Sequence, residues 1–496
     1  MSKRTASSGL GSLGSGAVTA VALAVQTGLA AVVGVLIAHT FGRTTETDGF
    51  FAAYGVFIVL ALVATSARLV VLPPLARARV ERRLAGETAT YALAYAWVAV
   101  PLLLVAALAA HPLASLLTGF GPERARHAAA SVLPWMVGAA VGQFYAGLLA
   151  SALAATDEYV VSAVAYGVGS VAGLALIIAR VHEDGIATIG WGMSLNAAIV
   201  LVIESAWLVR RATAEQMPAG GAAPAGALRR RLAEIARGVC LPLALQGAYV
   251  VCLAFAGRDR VGSATSFGYA FLIGSALVAV TAGSLGLVTS VPVTRAGLDP
   301  EGVARHVDSS SWLALVGVTA ATGVFAVAGG RVVQGVLGSG YDARVGTELG
   351  RLVVALAPWM VASIGVSVAF PLVFVQGREA RLPLYAIGLI ALHVPLAAAG
   401  QALAGLYGLA VALAVTTALG LIAILADLHA VRVTLIGLVA AAGAVGLVGA
   451  AAFVPTGVLL PAAPAVPVGL VAFAVLLAAV RPAGLRRSWR YLRSLG

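Results

Sequence analysis

Three ionisable residues, Asp48, Arg68 and Glu204, lie within or at the edge of long apolar stretches of the chain. A charged side chain in a hydrocarbon environment is costly, so each of the three is a candidate for a role in binding or transport. Arg68 could hold a phosphate group, or its long side chain could extend to the lipid headgroups. Glu204 could pair with Arg68, take up a proton, or reach the interface. Asp48 begins its stretch, where a carboxylate also stabilises a helix N-terminus.

Polar residues at similar places in the two halves of the chain form a second group of candidates. Gln26 and Gln246 each precede a Gly-Arg pair, and their amides could bind sugar hydroxyls or neighbouring helices. Arg258 and Arg260 flank an aspartate at the mouth of an apolar stretch, where they could meet a phosphate or form a solvated turn. His393 stands alone in an apolar stretch, which is more typical of helix packing than of a ligand.

The sequence shows no constellation of catalytic or metal-binding residues. It has no Ser/His/Asp set in suitable loops, no histidine pair at metal spacing and no phosphate-binding P-loop. Cys240 and Cys252 have neither metal-ligand spacing nor a disulfide pattern, so we expect both to pack inside helices. We therefore predict that the protein is not an enzyme and that it requires neither a cofactor nor a metal ion.

The composition predicts which elements position these residues. Of the 496 residues, 60% are hydrophobic and only 10% are charged, and the mean hydropathy is +0.99. Soluble domains are about 25% charged, so a water-soluble enzyme and a disordered chain are both excluded. A helix crosses the hydrocarbon core with about 20 apolar residues. Runs of that size predict an all-α polytopic membrane protein with about fourteen spans, near residues 15–40, 50–75, 88–110, 128–155, 159–180, 186–209, 238–257, 264–292, 310–329, 350–376, 382–400, 403–426, 433–454 and 462–480.

The net charge of +12 comes mostly from arginines in short loops between the predicted spans. If the N-terminus is cytoplasmic, twenty-two basic residues fall on the inside and nine on the outside. The outside group is Arg43, Arg124, Arg126, Arg180, Arg258, Arg260, Arg331, Arg344 and Arg351. Because basic residues concentrate in cytoplasmic loops, we predict a bacterial-type cytoplasmic membrane protein with both termini inside. The charge is thus explained by topology, and we expect no nucleic-acid partner.

One segment differs in composition from its surroundings and marks a predicted boundary. A Pro/Gly/Ala-rich piece is followed by a basic amphipathic stretch, which could lie on an anionic leaflet. We predict a first lobe of six spans at residues 1–211, a cytoplasmic linker at 212–237 and a second lobe of six spans at 238–428. Two further spans and a basic tail follow at 429–496.

The two predicted lobes contain matching sequence fragments. The tetrapeptide PWMV occurs at residues 134–137 and again at 358–361. A Gly-Arg pair leads to Tyr54 in the first half and, at the same spacing, to Tyr269 in the second. Each match joins span n to span n+6, which predicts two parallel repeats related by an axis along the membrane normal. Such repeats commonly alternate between inward-open and outward-open states, although a duplicated bundle with no transport role is the alternative.

Several fragments resemble the multidrug/oligosaccharidyl-lipid/polysaccharide (MOP) exporter superfamily, and within it the lipid II flippase family called MurJ or MviN. The first half carries Phe41-Gly42, Thr47-Asp48-Gly49-Phe50-Phe51 and Leu72-Pro73-Pro74-Leu75. The second half carries Tyr269-Ala270 and Val291-Pro292. The resemblance implies a V-shaped cavity between two lobes, with the last two helices forming a groove for a lipid tail. It also implies a role for Asp48 in the cavity or its external gate.

The resemblance also identifies a departure. That family lines its cavity with arginines that bind the diphosphate and sugars of a polyprenyl-linked precursor. The matching positions in this chain are Thr27, Val33, Ala61 and Phe271 or Leu272. A diphosphate in a low-dielectric cavity needs charge-assisted partners, and these positions do not supply them. The sequence therefore leaves two cargoes open, lipid II and another lipid-linked saccharide.

These observations predict a flippase that moves a polyprenyl-diphosphate saccharide across the membrane by alternating access. With no ATP site, a membrane potential or an ion gradient would bias its states. The alternatives are a polysaccharide or teichoic-acid exporter, a multidrug-type antiporter, and a non-transporting scaffold for envelope synthesis. We expect a monomer whose partners are the lipid-linked saccharide, membrane lipids and possible cell-envelope synthesis enzymes. The predicted substrate-binding residues are Gln26, Asp48, Arg68, Glu204, Gln246 and Arg258.

Overall fold

A computed structural model describes residues 32–156, 158–214, 226–283, 300–338 and 343–495 of the chain. Within these ranges the regular structure is entirely helical. The prediction of an all-α membrane protein is therefore confirmed.

The helices of the first half follow one another with short connections. They are α1 (Val32–Phe41), α2 (Thr45–Val80), α3 (Leu84–Leu108), α4 (Ala110–Leu117), α5 (Glu123–Ala154), α6 (Tyr159–Asp184) and α7 (Ala187–Ala214). The second half comprises α8 (Ala227–Ala256), α9 (Ser263–Val278), α10 (Pro300–Leu337), α11 (Ala343–Ala355), α12 (Ala357–Val375), α13 (Leu382–Asp427), α14 (Val431–Leu459), α15 (Ala462–Val480) and α16 (Ala483–Leu495). A π-helical turn, Ala279–Gly283, extends α9, and a short 3-10 turn, Glu379–Arg381, precedes α13.

Twelve helices in the described ranges are long and apolar enough to cross a membrane. The 46-residue helix α13 leaves helical geometry at Ala404 and at Gly405, whose φ is 56°. This break lies at the beginning of the span predicted at residues 403–426, shortly after the end of the span predicted at 382–400. The span predicted near 15–40 falls mostly outside the described residues, which include only its end, α1. The predicted count of about fourteen spans is therefore approximate.

The chain divides into two compact units that do not follow the order of the sequence. The first unit contains Met1–Gly34, Leu60–Ala110 and Ser131–Ile235. The second unit contains Val35–Val59, His111–Ala130 and Ala236–Gly496. Helix α2 thus begins in the second unit and ends in the first.

Within each unit, small residues let helix backbones approach closely. A Cβ atom added to Gly192 of α7 would lie 2.6 Å from the carbonyl oxygen of Gly173 on α6. In the second unit, a Cβ atom on Gly350 of α11 would lie 2.9 Å from the Cα atom of Gly329 on α10. Glycine at such positions brings helices together where lipid provides no hydrophobic driving force for their association.

The repeated PWMV tetrapeptide is packed differently in the two units. Met136 and Met360 are both fully buried, but Trp135 is 46% exposed whereas Trp359 is 4% exposed. The Trp135 ring contacts Trp191 of the first unit, and the Trp359 ring contacts Phe271 of the second. The methionine therefore has a common packing role, while the tryptophan environments have diverged.

Loops predicted on the same side of the membrane lie together within the second unit. Arg43 and Arg260, both predicted outside, approach Glu348 at 3.6 Å and 3.8 Å. Arg378, predicted inside, donates a hydrogen bond to the carbonyl oxygen of Asp427 in another predicted inside loop. This grouping agrees with the predicted alternation of the spans. Which side is cytoplasmic, and in which membrane the protein resides, stay predictions.

Candidate functional site

Arg68 of α2 and Glu204 of α7 belong to one polar cluster in the first unit. Glu204 is fully buried, and neither of its carboxylate oxygens has a hydrogen-bond partner among the described residues. Its charge interacts with that of Arg68, and the Ser162 hydroxyl of α6 is its polar neighbour. Tyr166, also on α6, interacts electrostatically with both charged residues. The structure thus brings together two residues whose pairing was one of the alternatives that the sequence left open.

The Arg68 side chain is placed by packing against α5. A Cβ atom added to Gly147 of α5 would lie 3.1 Å from the Cγ atom of Arg68, so this glycine leaves room for the aliphatic stem. The guanidinium interacts electrostatically with Tyr95 of α3 as well as with Tyr166. Tyr166 in turn donates a hydrogen bond of 3.1 Å to the amide oxygen of Gln143 on α5. Four helices therefore supply polar groups around one arginine.

This Arg68–Glu204 cluster combines a permanent cation with an acid, hydroxyls and an amide inside apolar helices. Guanidinium groups bind phosphates through paired hydrogen bonds, while tyrosine, serine and glutamine side chains can bind sugar hydroxyls. A buried carboxylate that lacks a hydrogen-bond partner is costly. The Glu204 carboxylate is therefore suited to accept a proton, a cation or a hydroxyl of a ligand.

Asp48 forms a second polar site, within the second unit. One carboxylate oxygen accepts a hydrogen bond of 2.6 Å from the Gly262 backbone N–H, and the other accepts two from Thr265, at 2.8 Å from the N–H and 2.7 Å from the hydroxyl. Because Gly262 and Thr265 begin α9, the Asp48 carboxylate caps this helix from α2. Arg43 completes the contact by donating a hydrogen bond of 2.9 Å to the Gly262 carbonyl oxygen.

Arg258 lies at the same end of the second unit, where it makes a structural contact. Its Nε–H donates a hydrogen bond of 3.1 Å to the carbonyl oxygen of Gly119, and its guanidinium lies 5.2 Å from the centroid of the Phe255 ring. A cavity of about 30 Å³ nearby is lined by Asp48 among other residues. That volume has room for a few water molecules at most, so this cavity is too small for a saccharide.

The remaining predicted site residues contribute less. Gln246 is partly buried on α8, in the second unit. Gln26 lies outside the described residues. His393 is fully buried; its Nε2–H donates a hydrogen bond of 2.9 Å to the Ala248 carbonyl oxygen, and its Nδ1 is hydrogen-bonded to the Thr416 hydroxyl at 2.7 Å. These contacts agree with the packing role expected for His393.

Aromatic rings surround Phe271, one of the two residues, with Leu272, that stand where the family resemblance would put an arginine in the second half. The rings of Phe271 and Tyr249 stack with centroids 3.7 Å apart, and Phe271 also contacts Trp359 at 4.8 Å. All three residues are nearly or fully buried. This part of the second unit is therefore adapted to packing, and it offers no cation for a phosphate.

The sequence analysis missed the polar residues that surround Arg68. Tyr95, Tyr166 and Ser162 stand singly in apolar helices, and no local pattern connects them. The signal that could have identified such residues is their depth in the membrane, since polar side chains of α5 and α6 lie at about the same depth as Arg68. Within the part of the chain that the structure describes, no group of three or more His, Cys, Asp or Glu residues could hold a metal ion.

Comparisons with known proteins agree with this architecture. No protein-family model matches the chain, and no curated protein matches it. The lipid II flippase MurJ in an inward closed conformation has a similar structure, with 11% identity, a TM-score of 0.69, and coverage of 93% of this chain and 98% of that chain. A multidrug resistance MATE family transporter of the MOP superfamily, in an inward-facing conformation, has 13% identity and a TM-score of 0.60, with 84% and 94% covered.

A third similar structure is a MOP superfamily transporter from Pyrococcus furiosus, described as having a binding pocket of reverse polarity that suggests a different function. It shares 15% identity and a TM-score of 0.55, with coverage of 86% of this chain and 96% of that chain. The chain therefore has the fold of MOP superfamily transporters, as its sequence motifs suggested. At these identities the likeness shows the fold and not the cargo.

Proposed function

We propose that the protein is a transporter of the MOP type that moves a lipid-linked saccharide, such as lipid II or a related polyprenyl-diphosphate sugar, across the cytoplasmic membrane. The observation that carries this proposal is the Arg68–Glu204 cluster. It provides one cation for a phosphate and several neutral groups for sugar hydroxyls within apolar helices. The fold shared with a lipid II flippase supports the same interpretation.

The distribution of polar groups limits what the cargo can be. Arg68 is the sole arginine within the predicted spans, since the other basic residues lie in loops or at helix ends. One guanidinium can form a paired contact with a single phosphate, but a diphosphate carries more charge than one arginine balances. We therefore favour a cargo whose sugars contribute much of the recognition, over one held mainly by its diphosphate.

Transport in proteoliposomes with a fluorescent lipid-linked saccharide tests the proposal. We expect the wild-type protein to move the labelled headgroup to the opposite leaflet, where a membrane-impermeant reductant quenches it. Arg68→Ala should lower the initial rate by at least about tenfold, because the loss of a charge-assisted contact costs about 1.5–3 kcal/mol. Arg68→Lys should retain part of the rate, since it keeps the charge without the paired geometry.

Arg77→Ala is the matched control, because Arg77 is an exposed arginine on the same helix outside this cluster. It should transport like the wild type. Equal rates in Arg68→Ala and Arg77→Ala would remove the cluster from the mechanism. Absence of transport with several lipid-linked saccharides would favour the envelope-scaffold alternative. Complementation of a flippase-depleted bacterium tests lipid II as the specific cargo.

A cation-coupled antiporter of small molecules is a second candidate, favoured by one observation. Glu204 is a fully buried acid in the first unit whose oxygens lack hydrogen-bond partners among the described residues. Such a carboxylate could exchange a cation or proton for an amphipathic organic cation. Energised vesicles loaded with a cationic dye distinguish the candidates: dye efflux that Glu204→Gln abolishes would support antiport, and no efflux by the wild type would exclude it.

A further inference from the structure

Helix α16 follows the span α15 after a connection of two residues, at the end of the second unit that the sequence predicts to be cytoplasmic. Its 13 residues include four arginines and no acidic residue. Apolar and basic residues fall on different sides of this helix, because they recur at helical spacing. A basic amphipathic helix that contains tryptophan is a form in which proteins contact a lipid surface.

One side of α16 is packed against the first turns of α10. A Cβ atom added to Gly484 would clash with the Trp312 ring, so this glycine allows the two helices to approach closely. Ser488, one turn further along, is only 1% exposed. The centroid of the Tyr491 ring lies 6.0 Å from that of the His306 ring. These contacts fix α16 on the second unit and give its remaining sides a defined direction.

The same contacts indicate the depth of α16 in the bilayer. Trp312 lies near the start of the apolar run predicted at 310–329, and His306 lies six residues, or about 9 Å, nearer the N-terminus of α10. Because Gly484 meets Trp312 and Tyr491 meets His306, α16 extends outward over this distance from the edge of the hydrocarbon core. The headgroup layer of one leaflet is about 5–8 Å thick, so α16 crosses it.

The sides of α16 that face away from α10 carry groups suited to this layer. Arg486 and Arg490 stand one turn apart, on the side opposite Ser488, and both are exposed. Among the residues that the structure describes, no acid forms an ion pair with either arginine. Trp489 lies between the packed side and the basic side and is 51% exposed. Tryptophan is enriched where the apolar core of a bilayer meets the headgroups.

We propose that this exposed surface of α16, formed by Arg486, Trp489 and Arg490, binds anionic phospholipids of the surrounding bilayer. The charges are complementary, because the helix carries arginines without acids and the headgroups are negative. Guanidinium groups bind phosphate oxygens through paired hydrogen bonds, while the indole lies at the boundary with the acyl chains. A soluble acidic partner fits less well, since α16 lies at headgroup depth. The surface is separate from the Arg68–Glu204 cluster and does not depend on the cargo proposed above.

Quenching of Trp489 by brominated lipids, with the full chain in nanodiscs, tests this proposal. The nanodiscs contain increasing mole fractions of brominated phosphatidylglycerol or brominated phosphatidylcholine in unlabelled phosphatidylcholine. The signal of Trp489 is the difference between each protein and the same protein with Trp489→Phe. We expect half-maximal quenching at a mole fraction at least about tenfold lower for phosphatidylglycerol than for phosphatidylcholine. This preference should decrease as ionic strength rises.

Two double variants test the part played by the arginines. Arg486→Gln/Arg490→Gln should lower the preference by at least about fivefold, since each arginine near an anionic surface contributes a factor of about five. Arg486→Lys/Arg490→Lys should keep most of it, because the charge remains.

Arg124→Gln/Arg331→Gln is the matched control. It removes the same charge from two exposed arginines that are predicted on the opposite side of the membrane, and it should keep the wild-type preference. Equal quenching of the wild type by both lipids would overturn the proposal and leave the surface to a soluble partner. The same preference in the wild type and the glutamine variant, or a wild-type preference that does not change with salt, would also overturn it.

Discussion

The three hydrogen bonds accepted by Asp48 allow its contribution to stability to be worked out. Asp48→Asn keeps one carbonyl oxygen for Thr265 but places an NH₂ group against the Gly262 N–H, which loses its acceptor. A hydrogen bond to a charged group contributes about 1.5–3 kcal/mol, and a carboxylate at a helix N-terminus adds about 0.3–1 kcal/mol. We therefore expect Asp48→Asn to lower the free energy of unfolding by about 2–4 kcal/mol.

A double-mutant cycle tests whether this loss comes from the contact between α2 and α9. Thr265→Val removes only the hydroxyl bond to Asp48 and should cost about 1–2 kcal/mol, because Thr265 is fully buried. The double variant should cost less than the two single losses together, with a coupling energy of about 0.5–3 kcal/mol. Unfolding of the purified full chain, titrated with denaturing detergent and followed by tryptophan fluorescence, provides the measurement.

Thr417→Val is the matched control for this cycle. Thr417 is also buried, but its hydroxyl donates a hydrogen bond only to the Leu413 carbonyl oxygen of its own helix, α13. The loss in unfolding free energy caused by Thr417→Val should add to that of Asp48→Asn without a coupling energy, since the two residues share no contact. Strict additivity of Asp48→Asn with Thr265→Val would refute the reasoning, because the carboxylate and the hydroxyl would then act independently.

Two further substitutions should destabilise the second unit through packing and neutral hydrogen bonds, with Asp48 and the arginines unchanged. Gly268→Ala places a Cβ atom 2.4 Å from the Phe51 ring and should cost about 1–3 kcal/mol by overpacking, seen as a lower midpoint in the same detergent titration. His393→Ala should cost about 2–4 kcal/mol, because it leaves a cavity and removes the hydrogen bonds that join the ring to the Thr416 hydroxyl and the Ala248 carbonyl oxygen. His393→Asn, which can keep one of these hydrogen bonds, should lose less, and equal midpoints for both variants would contradict this account.

Hydropathy predicted most of the fold, because a membrane span depends only on the apolar residues of its own segment. A span needs a continuous apolar run, and runs such as the one that forms α3 can be read without knowledge of the partners. The break of α13 at Ala404 and Gly405 lies within a few residues of the predicted boundary between two spans. The π-helical turn Ala279–Gly283 had no comparable signal, since the run predicted at 264–292 reads as one apolar segment.

The candidate sites were predicted less completely, because they depend on contacts between residues distant in sequence. The cost of a charged residue within an apolar span identified Arg68 and Glu204 and suggested that they could pair. No local pattern indicated that Thr265, 217 positions away, would bind Asp48. Likewise, no local pattern indicated that Arg231, in the basic stretch at the start of α8, would form an ion pair with Glu87 of α3. Periodicity does not encode such partners.

The two units use their polar residues for different purposes, and this difference indicates where cargo recognition would take place. In the second unit, the Phe271 ring packs against the rings of Tyr249 and Trp359, and Phe271 or its neighbour Leu272 stands where the family resemblance would place a cation. In the first unit, Arg68 and Glu204 are retained within apolar helices despite their cost. In a fold with two similar halves, charged residues within the membrane in one half are enough to bind a cargo if the other half supplies packing surfaces. Loss of transport should therefore follow substitution of Arg68 but not conservative substitution of Phe271, such as Phe271→Leu.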